Sequence, residues 1–244
     1  MSPETEEQIK AHAVAEFPRE SCGLVCVVKG RERYLPCKNI AESREEHFVL
    51  DPQDYAAASD AGEIIAIVHS HPNESARPSD ADRVQCEAWG VPWHIVPVSA
   101  PDDATEPVAG EIYTFAPNGY EAPLVGRKFY HGVLDCYALV RDYFKREHGI
   151  EMYDAPREDD WWHKGQSLYL DNLDKMGLIP AQGALREGDV ILMQIRSPIP
   201  NHAAIYLGDD VILHHLYGRL SSRDVYGGYW REVTTHLLRK EELA

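Results

Sequence analysis

Two imidazoles and a carboxylate stand close together in the first half of the chain. His69-Ser70-His71-Pro72 is followed by Ser79 and, three residues on, Asp82. In an extended segment residues i and i+2 point the same way, so His69 and His71 can face one point while Ser70 is directed elsewhere. Pro72 and Pro78 fit a loop that brings the chain back, and Asp82 projects from the first turn of the helix that follows. Three such ligands can hold one zinc ion (Zn2+) and leave a fourth position open, which separates a catalytic zinc from a structural one. Ser79-x-x-Asp82 also reads as a capping-box start that needs no metal.

The second half holds a different chemistry. Asp135-Cys136-Tyr137-Ala138-Leu139-Val140 puts a cysteine at the start of an amphipathic helix. The positive end of the helix dipole is expected to lower the thiol pKa and favour the thiolate. A nucleophile needs a base, and the candidate lies in Asn201-His202-Ala203-Ala204-Ile205-Tyr206-Leu207-Gly208. A third group must orient that imidazole, and His214 and His215 are both candidates. With a three-residue loop at 208–210, Ala204 pairs with His214, and His202 then shares a face with His214. A two-residue loop reverses the parity and selects His215.

These groups need elements to carry them. In the first half, residues 4–16 read as a helix, Cys22 to Val28 as a strand, His47 to Leu50 as extended, and Pro52 to Ala61 as a helix capped by Asp51. Ile64 to Val68 is a β-branched buried strand running into His69. Asp80 to Trp89 reads as a helix with Ser79 at its N-cap, and Trp93 to Val98 as another strand. The result is mixed α/β. The second half opens with a helix, Cys136 to Glu147, then expects helix over residues 159–176, then strands at Asp189 to Ile195, Ala203 to Leu207 and Val211 to Leu216. Helix first, then an antiparallel sheet, is an α+β pattern.

Between the halves, Pro101, Pro107, Gly110, Pro117, Gly119, Pro123 and Gly126 punctuate the chain, with Asp102 and Asp103 adding a charged turn. This predicts one or two late strands and then a linker. The expected domains are 1–116 and 127–244, joined by a linker at 117–126, and 244 residues suit two small domains.

Composition excludes some classes. A net charge of −16 would repel a phosphate backbone, which argues against nucleic-acid binding. No apolar run approaches the ~20 residues of a membrane span. Met1 to Glu7 is too acidic and polar for a secretory signal. Cys22, Cys26, Cys37, Cys86 and Cys136 are odd in number and form no disulfide framework, so a reducing compartment is expected. Cys22 and Cys26 read better as small buried residues than as a metal pair.

Taken together, His-x-His, seven residues (72–78), Ser79, two residues, and Asp82 resemble the JAMM metallopeptidase signature. That family also uses an upstream glutamate, and Pro18-Arg19-Glu20-Ser21-Cys22-Gly23-Leu24 matches its Glu-x-Cys-Gly-like context. The resemblance covers roughly residues 1–110. It implies His69, His71 and Asp82 as zinc ligands, Glu20 as the general base toward metal-activated water, and Ser79 as a stabiliser of the oxyanion.

The second half resembles the NlpC-type cysteine peptidases, which have a papain-like core. Their pattern is Asp-Cys-x-Gly-Leu-Val, then His-x-Gly-Ile-Tyr, then a polar residue about twelve on. Ala138 replaces the glycine of the first motif and Ala203-Ala204 the usual Val-Gly of the second. The resemblance covers about residues 127–216. It implies Cys136 as nucleophile, His202 as base and, by the twelve-residue spacing, His214 as the orienting group. Tyr130-His131-Gly132 is similar to the family's aromatic-x-Gly segment, which implies Tyr130 and Asp135 on the substrate side of the site.

The two halves joined resemble the tail tip assembly protein K family of long, non-contractile-tailed bacteriophages. Glu158-Asp159-Asp160-Trp161-Trp162 and Leu168-Tyr169-Leu170-Asp171-Asn172-Leu173 carry that likeness too, although Trp161 and Trp162 also read as a packing face. The family implies work in the host cytoplasm during tail assembly, with the virion tail tip as a second location. It implies other tail tip proteins as partners, a ubiquitin-like tail assembly protein among them, and peptidoglycan stem peptides or tail proteins as substrates. The competing expectation is an assembly module in which one or both sites are not needed. A eukaryotic-type deubiquitinase would leave residues 127–244 unexplained.

Overall fold

The protein is described by a computed structural model covering residues 1–100, 106–158 and 160–244. Its chain forms two compact units, Met1–Glu121 and Ala122–Ala244. The expected turn at Asp102 and Asp103 lies outside the described residues, as does Asp159.

The first unit begins with α1 (Pro3–Glu16), started by Ser2, whose Oγ accepts the Thr5 N–H at 3.2 Å. A hairpin follows, β1 (Cys22–Val28) and β2 (Arg31–Cys37). Its two-residue turn, Lys29 and Gly30, takes positive φ at both positions (50° and 75°), as the twist of a tight hairpin demands. Strand β2 carries no strand signal in its sequence. It is an edge strand, and its charged Arg31, Glu32 and Arg33 and its Pro36 suit an edge while hiding the apolar alternation.

Next come α2 (Pro52–Ala61), with Asp51 accepting from the Gln53 N–H at 2.8 Å, β3 (Glu63–Pro72), α3 (Asp80–Trp89), β4 (Trp93–Ser99), β5 (Val108–Ala109) and β6 (Tyr113–Phe115). The sheet order is β2-β1-β3-β4-β5, with β6 also on β4. β3 and β4 are parallel, joined through α3, and the other pairs are antiparallel.

Strand alternation divides the core into two layers. Val25, Ala66, Val68, Val96 and Val98 meet Ile9 and Ala13 of α1. Cys22, Leu24, Cys26 and Ile67 meet Ala58 of α2 and Cys86 of α3. Cys22 and Cys26 are thus core residues. β3 runs past its expected end at Val68, so His69 and His71 continue the Ile67 parity toward α3.

Within the expected linker, the Asn118 and Tyr120 N–H groups donate to Glu87 Oε1 of α3 at 2.6 and 3.0 Å. Ala122 is buried in the second unit, where its carbonyl accepts from Arg146.

The second unit is built on α4 (Cys136–His148), which ends at Gly149 in the left-handed region. Lys145, Arg146 and His148 occupy its last turn, where cations complement the dipole. After it come α5 (Leu173–Met176), β7 (Leu178–Pro180), β8 (Val190–Met193), β9 (His202–Tyr206), β10 (Val211–His214), β11 (Ser222–Val225), α6 (Tyr229–Glu232) and β12 (Thr234–Lys240). The antiparallel sheet runs β11-β10-β9-β8-β12-β7. Leu139, Val140, Tyr143 and Phe144 of α4 pack on Leu192, Ala203, Ile205 and Leu213 of this sheet.

The helix expected over 159–176 does not form. Short 3-10 turns at Trp161–His163 and Leu170–Asn172 precede α5. Gly165, at φ 79°, breaks the run, and Trp161, Leu168 and Tyr169 are each drawn into the core. Trp161 is therefore a packing residue.

Candidate functional site

In the first unit His69, His71 and Asp82 converge. His69 Nε2 lies 3.0 Å from His71 Nε2, and Asp82 Oδ1 and Oδ2 lie 3.3 and 3.5 Å from the two rings. Ligand atoms on a tetrahedral zinc with ~2.0–2.1 Å bonds are separated by roughly 3.3 Å. His71 Nδ1–H donates to the Ser75 carbonyl at 2.8 Å, so its Nε2 carries the lone pair. His69 is buried, stacked on Phe48 at 4.8 Å and edge-on to Trp93 at 5.4 Å, and its Nδ1 has no hydrogen-bond partner among the described residues. Two neutral imidazoles and one carboxylate are a donor set that fits zinc.

Asp82 is held by the helix start. Ser79 Oγ accepts the Asp82 N–H at 3.1 Å, and the Ser79 N–H and hydroxyl donate to Asp82 Oδ2 at 2.7 and 2.8 Å. The capping box and the ligand set are thus one structure: the cap fixes the carboxylate that faces the histidines. Burial would push the Asp82 carboxyl up, but His69 and His71 beside it hold it well below the usual carboxylate range. Burial lowers the His69 pKa. For His71 burial also acts downward, but Asp82 and the Ser75 carbonyl outweigh it and raise the pKa.

Glu20 sits just before β1, whose Cys22 pairs with His69 of β3. The Ser70 N–H donates to the Ser21 carbonyl at 3.0 Å and the Ser21 N–H to Ser70 Oγ at 2.8 Å. That register sets Glu20 beside His71. The Asn39 side chain donates to the Glu20 carbonyl, which fixes the backbone. Burial pushes the Glu20 carboxyl up to about 8, against the pull of His71. Glu20 also lines a cavity of about 390 Å³ with Arg19, Lys38, Asn39 and Arg44.

In the second unit Cys136 is the first residue of α4. Asp135 caps the helix, accepting the Ala138 N–H at 2.8 Å, and also accepts the Gly132 N–H at 2.9 Å. Arg157 closes on Asp135 through Nε and Nη2 in a buried bidentate pair. The sequence reading missed Arg157, because it stands in an irregular segment 22 residues beyond its partner. Tyr130 forms a backbone bridge with Leu134 that closes the turn before Asp135.

The Cys136 sulfur lies 3.3 Å from the Tyr169 hydroxyl, and the Ala203 N–H also points at it. No hydrogen bond joins it to His202 among the described residues. The thiol pKa is raised, where the helix start alone predicts it lowered. Burial and then the Asp135 carboxylate push it up to about 11, more than Tyr169, Ala203 and Arg157 offset. The helix dipole is outweighed because the thiolate would be both desolvated and beside an anion.

The loop at 208–210 has three residues, with Gly208, Asp209 and Asp210 all at positive φ, and Ala204 pairs with His214. His202 Nε2 meets His214 Nδ1 at 3.1 Å. His215 has the opposite parity and packs edge-on against Phe129 at 5.1 Å. His214 Nε2 meets Asp224 Oδ2 of β11 at 3.1 Å. Asp224 was missed because β11 is polar and half-exposed, and its sequence gives no strand signal. Burial, then His214 and His215, lower the His202 pKa to about 3.

Comparison with known proteins follows the same division. Residues 2–110 match the family described as prokaryotic homologs of the JAB domain, and residues 124–239 match the NlpC/P60 family. The two-domain architecture is therefore a mixed α/β JAB-like domain followed by an α+β NlpC-like domain, a pairing that supports hydrolase activity of the peptidase type. The tail tip assembly protein K of Escherichia phage N15 is 43% identical over 245 residues, covering 100% of this chain and 97% of that protein. That of Escherichia phage lambda is 43% identical over 192 residues, covering 78% and 88%. A probable TtuB-protein conjugate cleaving protease of Thermus thermophilus is 34% identical over 94 residues, covering 36% of this chain and 63% of that protein. With 43% identity over its whole length to one such protein and over 78% of it to another, the chain belongs to the tail tip assembly protein K family of phages.

Proposed function

We propose that the chain is a two-centre peptidase of phage tail assembly, with a zinc-dependent centre in the first unit and a cysteine centre in the second. The observation that carries the reading is the three-ligand cluster, whose ligand atoms lie 3.0 to 3.5 Å apart in a region that packing alone would fill with apolar groups.

At the first centre His69, His71 and Asp82 would hold the ion. When bound, zinc activates a water at neutral pH and polarises the scissile carbonyl. Glu20, set beside His71 by the β1–β3 register, would accept the water's proton and deliver it to the leaving amine. Ser79 orients Asp82 through its hydroxyl at rest, and is the candidate donor to the oxyanion during turnover. The likeness to the Thermus protein, a probable TtuB-protein conjugate cleaving protease, favours an isopeptide or peptide bond in a ubiquitin-like tail assembly protein as the substrate.

At the second centre His202 takes the Cys136 proton and the sulfur attacks the peptide carbonyl. The C–N bond breaks, the imidazolium protonates the leaving amine, and water hydrolyses the thioester. His214 orients His202. Asp135 and Tyr130 lie on the side where substrate would enter. Peptidoglycan stem peptides or tail proteins are the expected substrates, met in the host cytoplasm during assembly or at the virion tail tip.

A second reading is an assembly module with a silent cysteine centre. The observation in its favour is the half-buried Cys136 thiol, which meets the Tyr169 hydroxyl and whose pKa is pushed up by desolvation and by Asp135. Product mapping by mass spectrometry separates the two. Purified sacculi and tail tip proteins are incubated with wild type, His71→Ala and Cys136→Ala. The peptidase reading expects one set of cuts lost in each variant, and identical product maps from all three would end it.

A further inference from the structure

Beneath the cysteine centre runs a chain of three hydrogen-bonding groups, of which only the first two answer to the motif. His202 Nε2 meets His214 Nδ1 at 3.1 Å, and His214 Nε2 meets Asp224 Oδ2 at 3.1 Å. We infer that Asp224 is a positioning residue that selects, through His214, the tautomer of His202 whose Nδ1 can accept the Cys136 proton. This rests on the peptidase reading of the second centre.

An ionised carboxylate only accepts, so His214 must carry its proton on Nε2. Its Nδ1 is then a lone pair and accepts from His202 Nε2–H. A neutral His202 with its proton on Nε2 has its lone pair on Nδ1. Remove the carboxylate and the reversed chain is equally well bonded. His214 Nδ1–H then donates to His202 Nε2, His202 carries its proton on Nδ1, and it can take no proton from the thiol. A wrong tautomer is as disabling as a missing base.

The surroundings support a built relay. His202 and His214 are buried, and Trp230 of α6 covers both rings, edge-on to His214 at 4.6 Å. Water has little access to satisfy either nitrogen in place of the partner. Ser222 Oγ donates to Asp224 Oδ1 at 3.3 Å, and the β10–β11 pairing sets Ser222 opposite His214 and Asp224 opposite Ile212. Arg219 Nη1 lies 3.8 Å from Asp224 Oδ2. His215 faces away.

The test uses full-length protein with 15N-labelled histidine. Long-range proton–nitrogen spectra at neutral pH report which ring nitrogen carries hydrogen. Wild type should show His202 and His214 both protonated on Nε2. Asp224→Asn, nearly isosteric, should show mixed tautomers at both rings and at least about tenfold slower Cys136-dependent cleavage. Asp224→Glu should restore the single tautomer and part of the rate. Wild-type tautomers in folded Asp224→Asn would overturn the inference, as would full cleavage activity in that variant. The spectra need no substrate. A wild type that shows the expected tautomers yet cuts nothing would overturn the peptidase reading and leave the relay standing.

Discussion

The Nε2 atoms of His69 and His71 lie 3.0 Å apart, buried, with Asp82 completing the triangle. The Ser75 carbonyl accepts a hydrogen bond from His71 Nδ1–H, so in the neutral ring Nε2 carries the lone pair. A shared cation satisfies such an arrangement better than either ring satisfies the other. Purified protein is expected to carry about one zinc per chain, and His71→Ala or Asp82→Ala to carry none. Metal that binds only the folded state stabilises it by about 2.7 kcal/mol at a free concentration 100 times its Kd. Metal analysis with thermal melting, with and without chelator, checks both.

Ser79 connects helix capping to metal binding. Ser79→Ala should cost about 1 kcal/mol as a lost cap. It should also weaken zinc binding roughly 10–100-fold, because Asp82 loses the donor that orients it. Ser79→Thr keeps both. Urea unfolding of the metal-free protein measures the first effect, and competition with a chromogenic chelator the second.

The fold was legible where periodicity was strong. α3 and β4 follow apolar patterns, and β3 was readable up to Val68. The extra reach of β3 through His71 was not, since its last residues are polar and face a site rather than a core. The helix expected over 159–176 failed because its apolar residues serve a core approached from two short turns, with Gly165 between them. The candidate sites divide in the same way. Motif spacing reaches His69, His71, Asp82, Cys136, His202 and His214. Arg157 and Asp224 lie in an irregular segment and a polar strand, where only the folded chain brings a charge to its partner.

The Cys136 thiol illustrates a local rule overruled by its surroundings. Pushed up to about 11 by burial and Asp135, it should react with iodoacetamide slowly at neutral pH and ever faster as pH rises past 9, without a plateau near 7. Tyr169→Phe removes a hydrogen bond that lowers the thiol pKa, so alkylation at a fixed pH should slow further. Mass spectrometry of Cys136 across a pH series reads both.

Acid stability carries the signature of the buried histidines. Burial depresses His202 from 6.5 to about 3 and His215 from 6.5 to about 4. The unfolded chain therefore binds more protons than the native one. Their contribution to stability is complete above pH 6.5 and is lost as pH falls from there, toward 4 for His215 and toward 3 for His202. His202→Gln should flatten that loss. Urea midpoints collected over this range provide the measurement.

The central claim is that the chain holds two peptidase centres of independent chemistry. The most direct test crosses two inhibitors on the wild-type protein, acting on sacculi and on tail tip proteins, with products mapped by mass spectrometry. A zinc chelator should abolish one set of cuts and spare the other, and alkylation of Cys136 should do the reverse. A single set of cuts abolished by either treatment alone, or cuts indifferent to both, would contradict the account.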